Sequence, residues 1–486
     1  MRKDALPGMT TEHPVQFTQP TINASRYRAY SVSWNLTQQC NLFCAHCYMS
    51  AFSHADTSGE FSTRECYRVM DGIAEINPDV FLILTGGEPL IRKDIFDLSA
   101  YGTDKGFTVV LGTNGVLLRE KEAKAMRRSG IQGASISLDS TDAKKHDEFR
   151  KLPHAFRDAV RATQILKAEG LDFSIHMSVM PWNVSEIPAM IDLARALGAR
   201  VLNFFFLVQT GRGAELADIQ PAQYEEMLTY LAKAQGVGHD QGEGRRGSVF
   251  DQPEDPWTVP AGRSGELILR AKCAPHFRRI IYQLDPDSVL LKNYAQGSCP
   301  AGKYYCRISP NGDVTPCPYM PVAAGNLRQQ SFAEIWRSAP ALNDLRDPKL
   351  GGRCGECEFS EICGGCRCRA YATYGDYLAE DPACGYQPGA YGGRRITLPQ
   401  EQTFGLEVTM TLAWSAEARE RLRRLPSFAR GMVARSVERY AAEQGIAMIT
   451  PEIMRIVREQ AETRLGRRFN FSEFSRETPA LKQGDA

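Results

Sequence analysis

Three cysteines fall close together, Cys40, Cys44 and Cys47, in a CxxxCxxC spacing. Thiolates so placed can take three irons of a 4Fe-4S cubane, and no fourth cysteine follows nearby, so one iron stays open to a further ligand. A zinc site, or a cluster completed by a distant cysteine, has the same local spacing. A second group comprises Cys299, Cys306 and Cys317, then Cys354-x2-Cys357-x5-Cys363-x2-Cys366, then Cys368 and Cys384. Eight thiolates, counting Cys306, suffice for two complete clusters with four cysteine ligands each, zinc at the C-x2-C pairs being the alternative. Of the 14 cysteines only Cys66 and Cys273 stand elsewhere, so the thiols are grouped as ligands are.

Elements must bring these groups together. From residue 30 to 207, β-branched or aromatic runs (SVSWNL, VFLILT, FTVVLG, ASISLD, FSIHMSVM, VLNFFFL) alternate with amphipathic stretches. That is the pattern of strand-helix units around a parallel sheet, with helices expected at 64–76, 120–129, 155–169 and 185–197. Six units predict an α/β fold, a partial (β/α)6 barrel over 30–235, behind an N-terminal extension, 1–29. Residues 236–266, rich in Gly, Pro and charge, predict a linker. Residues 267–390, dense in Cys, Gly and Pro, predict a small domain in which metal ligation substitutes for a hydrophobic core. A helical module follows at 404–472, with Thr450, Pro451 and Glu452 as a helix start, and 473–486 predict a disordered tail.

The 486 residues are too many for a single core, so more than one folded unit is expected. With 58 Lys+Arg against 57 Asp+Glu, the charge balance gives no case for nucleic acid or an acidic membrane surface. No apolar run approaches a membrane span, and residues 1–17 lack the apolar core of a secretory signal. A cytoplasmic location is expected, where structural disulfides are rare and metal or iron-sulfur ligation is the default for clustered cysteines.

The run SWNLTQQCNLFCAHCYMS, with LTGGEPL at 84–90, resembles the radical S-adenosylmethionine (AdoMet), or radical SAM, superfamily. The resemblance implies that AdoMet chelates the open iron of a 4Fe-4S cluster through its amine and carboxylate. Reductive cleavage then yields a 5'-deoxyadenosyl radical that removes a substrate hydrogen, while the protein supplies position and water exclusion. It also implies AdoMet contacts at Tyr48, at Gly86, Gly87 and Glu88 of the GGEP segment, at Asn114 and Ser137, at Asp139 for the ribose, and at Arg150 for the carboxylate. Gly86 and Gly87 would let the chain approach the ligand closely. Asp139 as a turn cap and Arg150 in a surface ion pair are the structural alternatives.

The second cysteine group resembles a SPASM domain. Similarity to anaerobic sulfatase-maturating enzymes implies two auxiliary 4Fe-4S clusters, one on Cys299, Cys306, Cys317 and Cys366, the other on Cys354, Cys357, Cys363 and Cys384. The family usually places three residues between the last two cysteines of the central run. Here two precede Cys366 and four precede Cys368, and either could be the ligand. Electron transfer and domain stability are the expected roles, fed by a donor such as ferredoxin or flavodoxin.

Three further segments, 207–213, 273–279 and 363–388, resemble the haem-biosynthesis members, AdoMet-dependent haem synthase and the haem d1 proteins. They imply a tetrapyrrole substrate, most simply Fe-coproporphyrin III undergoing oxidative propionate decarboxylation. Such a substrate needs cationic groups for its carboxylates, and Arg212, Arg278 and Arg279 are candidates, with Cys273 or His276 touching substrate or its iron. Trp414, Pro426 and Arg430 stand as in the C-terminal module of light-independent protochlorophyllide reductase. Haem d1-type side-chain modification, modification of a peptide or protein, and a pure iron-sulfur electron relay are the competing functions.

Overall fold

The computed structural model describes residues 27–238, 267–288, 290–291, 299–398, 410–423 and 427–465. Residues 1–26 of the expected extension, nearly all of the expected linker, Pro426 and the expected tail lie outside these.

All six sequence-predicted runs form strands: β1 (Ser31–Asn35), β2 (Phe81–Thr85), β3 (Thr108–Thr113), β4 (Gly133–Ser137), β5 (Asp172–Val179) and β6 (Val201–Phe206). They pair in sequence order, all parallel. The connections carry α1 (Thr63–Ile76), α2 (Ile95–Asp104), α3 (Glu120–Arg128), α4 (Ala143–Arg150), α5 (Ala155–Ala168) and α6 (Ile187–Leu197), and α7 (Pro221–Lys233) follows β6. Alternation within the strands explains the layering. Val32, Trp34, Leu82, Leu84, Val109, Leu111, Ile136, Ile175, Met177, Leu202 and Phe204 are buried in one core with Met70 and Ile73 of α1, Leu98 of α2, Met126 of α3 and Ile191 of α6. Each such side chain contributes roughly 1.5–3 kcal/mol by leaving water. The opposite strand face is left to line the barrel interior.

Two more parallel strands join this sheet. β7 (Ile268–Lys272), expected with the cysteine-rich domain, pairs with β6, and β8 (Tyr305–Ile308) pairs with β1. The chain returns to the barrel edge beyond the linker, so the change in composition at 267 does not mark a change of sheet. Hairpin partners β9 (Asp313–Thr315) and β10 (Gly325–Asn326) complete ten strands.

Among the described residues the cysteine-rich part adds only short helices: α8 (His276–Leu284), α9 (Phe332–Ser338), α10 (Pro340–Arg346), α11 (Gly352–Glu356) and α12 (Arg367–Tyr374). The C-terminal module has its own core. Trp414, Ala418, Leu422, Ala434, Val437, Ala441 and Ile449 join α13 (Ala416–Arg423), α14 (Ser427–Glu443), α15 (Pro451–Leu465) and the paired strands β11 (Ala413–Trp414) and β12 (Met448–Ile449). Among the described residues no helix is long and apolar enough to cross a membrane.

Candidate active site

The CxxxCxxC loop leaves the C-terminal end of β1 and is gripped by the ends of the neighbouring strands. From β2, Gly87 N donates to Thr37 O at 2.7 Å and Glu88 N to Gln39 O at 2.9 Å. A Cβ at Gly87 would stand 2.1 Å from Gln39 O, and one at Gly86, whose φ is 157°, 2.8 Å from Thr37 O. The expected close approach to a ligand is therefore, in the first place, an approach to the cysteine loop's own backbone. Glu88 is fully buried and ties strand ends together, accepting from Thr113 Oγ1 (2.7 Å), Asn114 N (2.9 Å) and Leu90 N (3.2 Å).

Cys40 and Cys44 are buried beside Leu42 and Ala51, with Cys47, Met49, Val116 and Leu152 around them. Burial pushes the Cys40 thiol up to about 12 and also raises Cys44. Nitrogen donors converge on the same sulfurs. Leu42 N lies 3.4 Å and Asn114 Nδ2 3.9 Å from Cys40 Sγ, and Arg150 Nη1 lies 3.7 Å from Cys44 Sγ. An apolar pocket with N–H groups aimed at sulfur fits an anionic iron-sulfur cluster, whose irons would take the thiols' protons' place.

Arg150 is no surface residue. Its Nε donates to Asp139 Oδ2 at 2.6 Å with both side chains buried. Burial opposes ionisation of Asp139, yet the Arg150 guanidinium and smaller contributions from His46 and His146 together outweigh it and hold the acid at about 2. Asp139 Oδ1 also accepts from Ser178 N at 2.9 Å, so the pair locks β4, β5 and α4 under the cysteine loop. Tyr48 accepts a hydrogen bond from Asn35 Nδ2 at 2.8 Å and meets Tyr319 edge-on, 5.2 Å between ring centroids. Ser137 ends β4, half-buried, on the interior face.

Arg212, expected at a substrate carboxylate, closes the loop instead. Its Nε donates to Cys44 O and its Nη1 to Ala51 O, both at 2.9 Å, and its guanidinium lies 4.0 Å from the Phe43 ring centroid. Gly211 beside it, at φ 57°, allows that approach, since a Cβ there would be 2.4 Å from Tyr48 O.

The later cysteines form two groups. In the first, the Cys368 thiol lies within hydrogen-bonding reach of Cys299, Cys317 and Cys366. That bond, outweighing burial with help from the Ala301 and Arg367 backbone N–H groups, lowers Cys299 to about 6. Cys306 is not among them. It sits on β8 opposite Val32, fully buried in the barrel core, and burial raises its thiol to about 12. The strand's alternation aims it at the helix layer, which overturns its expected place in a cluster. Cys273, in a left-handed conformation at φ 60°, packs against the first thiol group, where Cys366, Cys317 and Cys299 are its nearest thiol neighbours. Its expected contact with substrate is replaced by that position.

The second group, Cys354, Cys357, Cys363 and Cys384, lines one recess together with His276, Arg279, Asp381 and Tyr386. Here too donors face sulfur. Asp381 N is 3.4 Å and Arg367 Nη2 3.7 Å from Cys354 Sγ, and Phe359 N is 3.4 Å from Cys357 Sγ. Four thiols around one recess with N–H donors facing sulfur fit a complete cluster. Among the described residues no three His, Cys, Asp or Glu side chains converge as one metal ion requires. Asp381, missed from the sequence, joins the groups by accepting from Cys366 N at 2.6 Å and Arg369 Nη1 at 3.2 Å.

His276, Arg278 and Arg279 are drawn away from the barrel interior because α8 buries almost its whole first turn. His276 Nε2 lies 3.0 Å from Asp381 Oδ2, Arg278 Nη2 donates to Leu291 O at 3.3 Å, and Arg279 pairs with Glu225 while its Nη1 donates to Gln283 Oε1 at 2.6 Å. The expectation that they meet a porphyrin is not supported by this geometry.

A partial parallel barrel with such a loop at its C-terminal end, followed by grouped thiols, defines a radical AdoMet enzyme with auxiliary iron-sulfur sites. Residues 34–194 match the radical SAM superfamily, 299–358 the iron-sulfur cluster-binding domain called SPASM, and 414–458 the proto-chlorophyllide reductase 57 kD subunit. The chain is 38% identical over 366 residues to an AdoMet-dependent heme synthase of Methanosarcina barkeri, covering 74% of this chain and 97% of that protein. It is 34% identical over 397 residues to one of Nitratidesulfovibrio vulgaris, covering 79% and 98%. The chain belongs to the radical SAM/SPASM family and is an enzyme whose cofactors are 4Fe-4S clusters and AdoMet. A solved structure of Streptococcus suis SuiB bound to S-adenosylmethionine shares the fold, with TM-score 0.56, 15% identity, and coverage of 74% of this chain and 78% of that one.

Proposed function

We propose that the protein acts on a tetrapyrrole in haem biosynthesis, removing propionate carboxyl groups from Fe-coproporphyrin III to leave vinyl groups. The observation that carries this reading is the 38% identity to an AdoMet-dependent heme synthase across 97% of that relative's length. Each conversion removes one hydrogen atom from the propionate carbon next to the ring, one electron, and the carboxyl group as CO2.

Cys40, Cys44 and Cys47 would hold the radical cluster, which with AdoMet supplies a 5'-deoxyadenosyl radical as hydrogen-atom acceptor. The chain's own part is positional. Gly87, Glu88 and Arg212 fix the loop, the Asp139–Arg150 pair braces it from below, and Asn114 Nδ2 and Arg150 Nη1 direct N–H groups at its sulfurs. Tyr48, Gly86, Asn114 and Ser137 would contact AdoMet, as the family resemblance implies. Cys299, Cys317, Cys366 and Cys368 would hold one auxiliary cluster and Cys354, Cys357, Cys363 and Cys384 the other. Their buried settings suit electron transfer to or from a donor such as ferredoxin or flavodoxin.

The test is anaerobic reconstitution followed by AdoMet, reductant and Fe-coproporphyrin III, with products weighed by mass spectrometry. Loss of carboxyl groups matched by equal 5'-deoxyadenosine is expected. AdoMet cleavage with the porphyrin unchanged would remove this reading.

A further inference from the structure

The cations nominated by sequence resemblance are committed elsewhere, but the interior face of the barrel carries others. Register places Ser137, His176, Asn203 and Arg270 side by side across β4 to β7. One pleat nearer the cysteine loop, Ser178, Phe205 and Lys272 repeat the row. Alternation puts Arg270 and Lys272 on the same face, about 6.6 Å apart along the strand. On the other side of β1, β8 sets Arg307 opposite Ser33.

Acids on this face are few and engaged. Asp172 shares the alternation but is exposed at the far end of β5, where Arg200 Nε lies 3.5 Å from it. Asp139, just beyond β4, is held by Arg150. Among the described residues neither Arg270 nor Lys272 has a hydrogen-bonding or ion-pair partner, whereas Arg307 donates through Nε to Asn35 Oδ1 at 2.5 Å. Between the cation row and His176, Asn203 is 6% exposed, and its Oδ1 has no hydrogen-bond partner among the described residues. That acceptor calls for a donor such as a bound water, while the Asn203 amide nitrogen is the group a carboxylate could accept from. Phe205, 4.9 Å from the His176 ring centroid, offers an aromatic face beside them.

We propose that Arg270 and Lys272 of β7 are the carboxylate clamp of the substrate, with Arg307 contributing from β8 and Phe205 flanking the macrocycle. A guanidinium and an ammonium on one strand face suit two carboxylates of one rigid ligand, the Arg by a bidentate pair and the Lys by a point charge. This clamp rests on the tetrapyrrole reading and names the residues that would recognise the propionates.

The experiment titrates reconstituted holoenzyme with Fe-coproporphyrin III, following the porphyrin's absorbance band, for wild type, Arg270→Gln, Lys272→Gln, the double variant and Arg270→Lys. Each glutamine variant should weaken Kd about tenfold or more and the double variant further, with Arg270→Lys recovering part. The tetramethyl ester should bind wild type and variants alike. Unchanged iron content and thermal midpoint in the variants would establish intact folds. Wild-type binding with unaltered variant Kd values overturns the clamp and leaves the tetrapyrrole reading standing. A matching loss of AdoMet affinity alone assigns the cations to AdoMet and also overturns it. No binding of Fe-coproporphyrin III by wild type removes both.

Discussion

Cys306 and Cys368 offer the sharpest test of how the thiols are used. Three 4Fe-4S clusters correspond to about twelve irons per chain. Cys306→Ala removes a sulfur that is fully buried on β8, facing the helix-side core rather than other thiols. The lost burial and the small cavity should cost about 1–2 kcal/mol, lowering the thermal midpoint by a few degrees, with about twelve irons retained. Cys368→Ala removes the thiol that reaches Cys299, Cys317 and Cys366, and iron should fall to about eight. Iron and acid-labile sulfide are measured after anaerobic reconstitution, with the radical cluster followed by its response to AdoMet in electron paramagnetic resonance. Four irons lost from Cys306→Ala, with none lost from Cys368→Ala, would refute the assignment and restore the interleaved set expected from resemblance.

Arg150→Gln leaves the buried Asp139 carboxylate without its cation and should cost about 3–5 kcal/mol, with Asp139→Asn added to it recovering part of the loss. Thermal melts of the two single variants and the double variant check this, and additive losses would contradict the pairing. In the C-terminal module, Glu438 is buried, accepting from Thr411 N, Leu412 N and Trp414 Nε1 at 2.9, 3.2 and 2.9 Å. Burial opposes its charge, but these donors prevail and hold its pKa below the ordinary 4.5. A depressed acid stabilises the folded state above its unfolded pKa and loses that contribution as pH falls through the folded one. Protection of the Thr411 and Leu412 amides, taken relative to the intrinsic exchange rate at each pH, should therefore fall as the pH drops below about 4.5 in wild type, and Glu438→Gln should already lose about 1–3 kcal/mol of protection at pH 7.

Local chemistry made much of this protein legible. The six strands were readable because parallel strands need continuous apolar or β-branched runs, and the long amphipathic helices α1, α3, α5 and α6 because their apolar positions recur every turn. Helices α2, α4 and α7 lie outside the helical stretches expected from the sequence. Of these, α4 has few apolar positions, and its buried residues include His146 and Arg150, whose burial depends on Asp139 in another element.

The CxxxCxxC loop announces a metal or iron-sulfur site by spacing, since its three thiols share one short loop, and the surrounding run with LTGGEPL singles out the open-iron cluster. The grouping of the cysteines from Cys299 onward is not legible in this way, because their convergence depends on how separate segments close. Alternation on β8 sends Cys306 into the core, while Cys368, two residues past Cys366, turns back on α12 towards Cys299 and Cys317. The same holds for charge. A sequence shows that 273–279 is basic, but the packing of α8 decides that Arg278 and Arg279 serve the protein's interior. The pairing of β7 with β6 is what places Arg270 and Lys272 on the barrel's inner face. Residue type determined which chemistry was possible here, and the tertiary register, a long-range property absent from any local spacing, decided which residues stand where that chemistry happens.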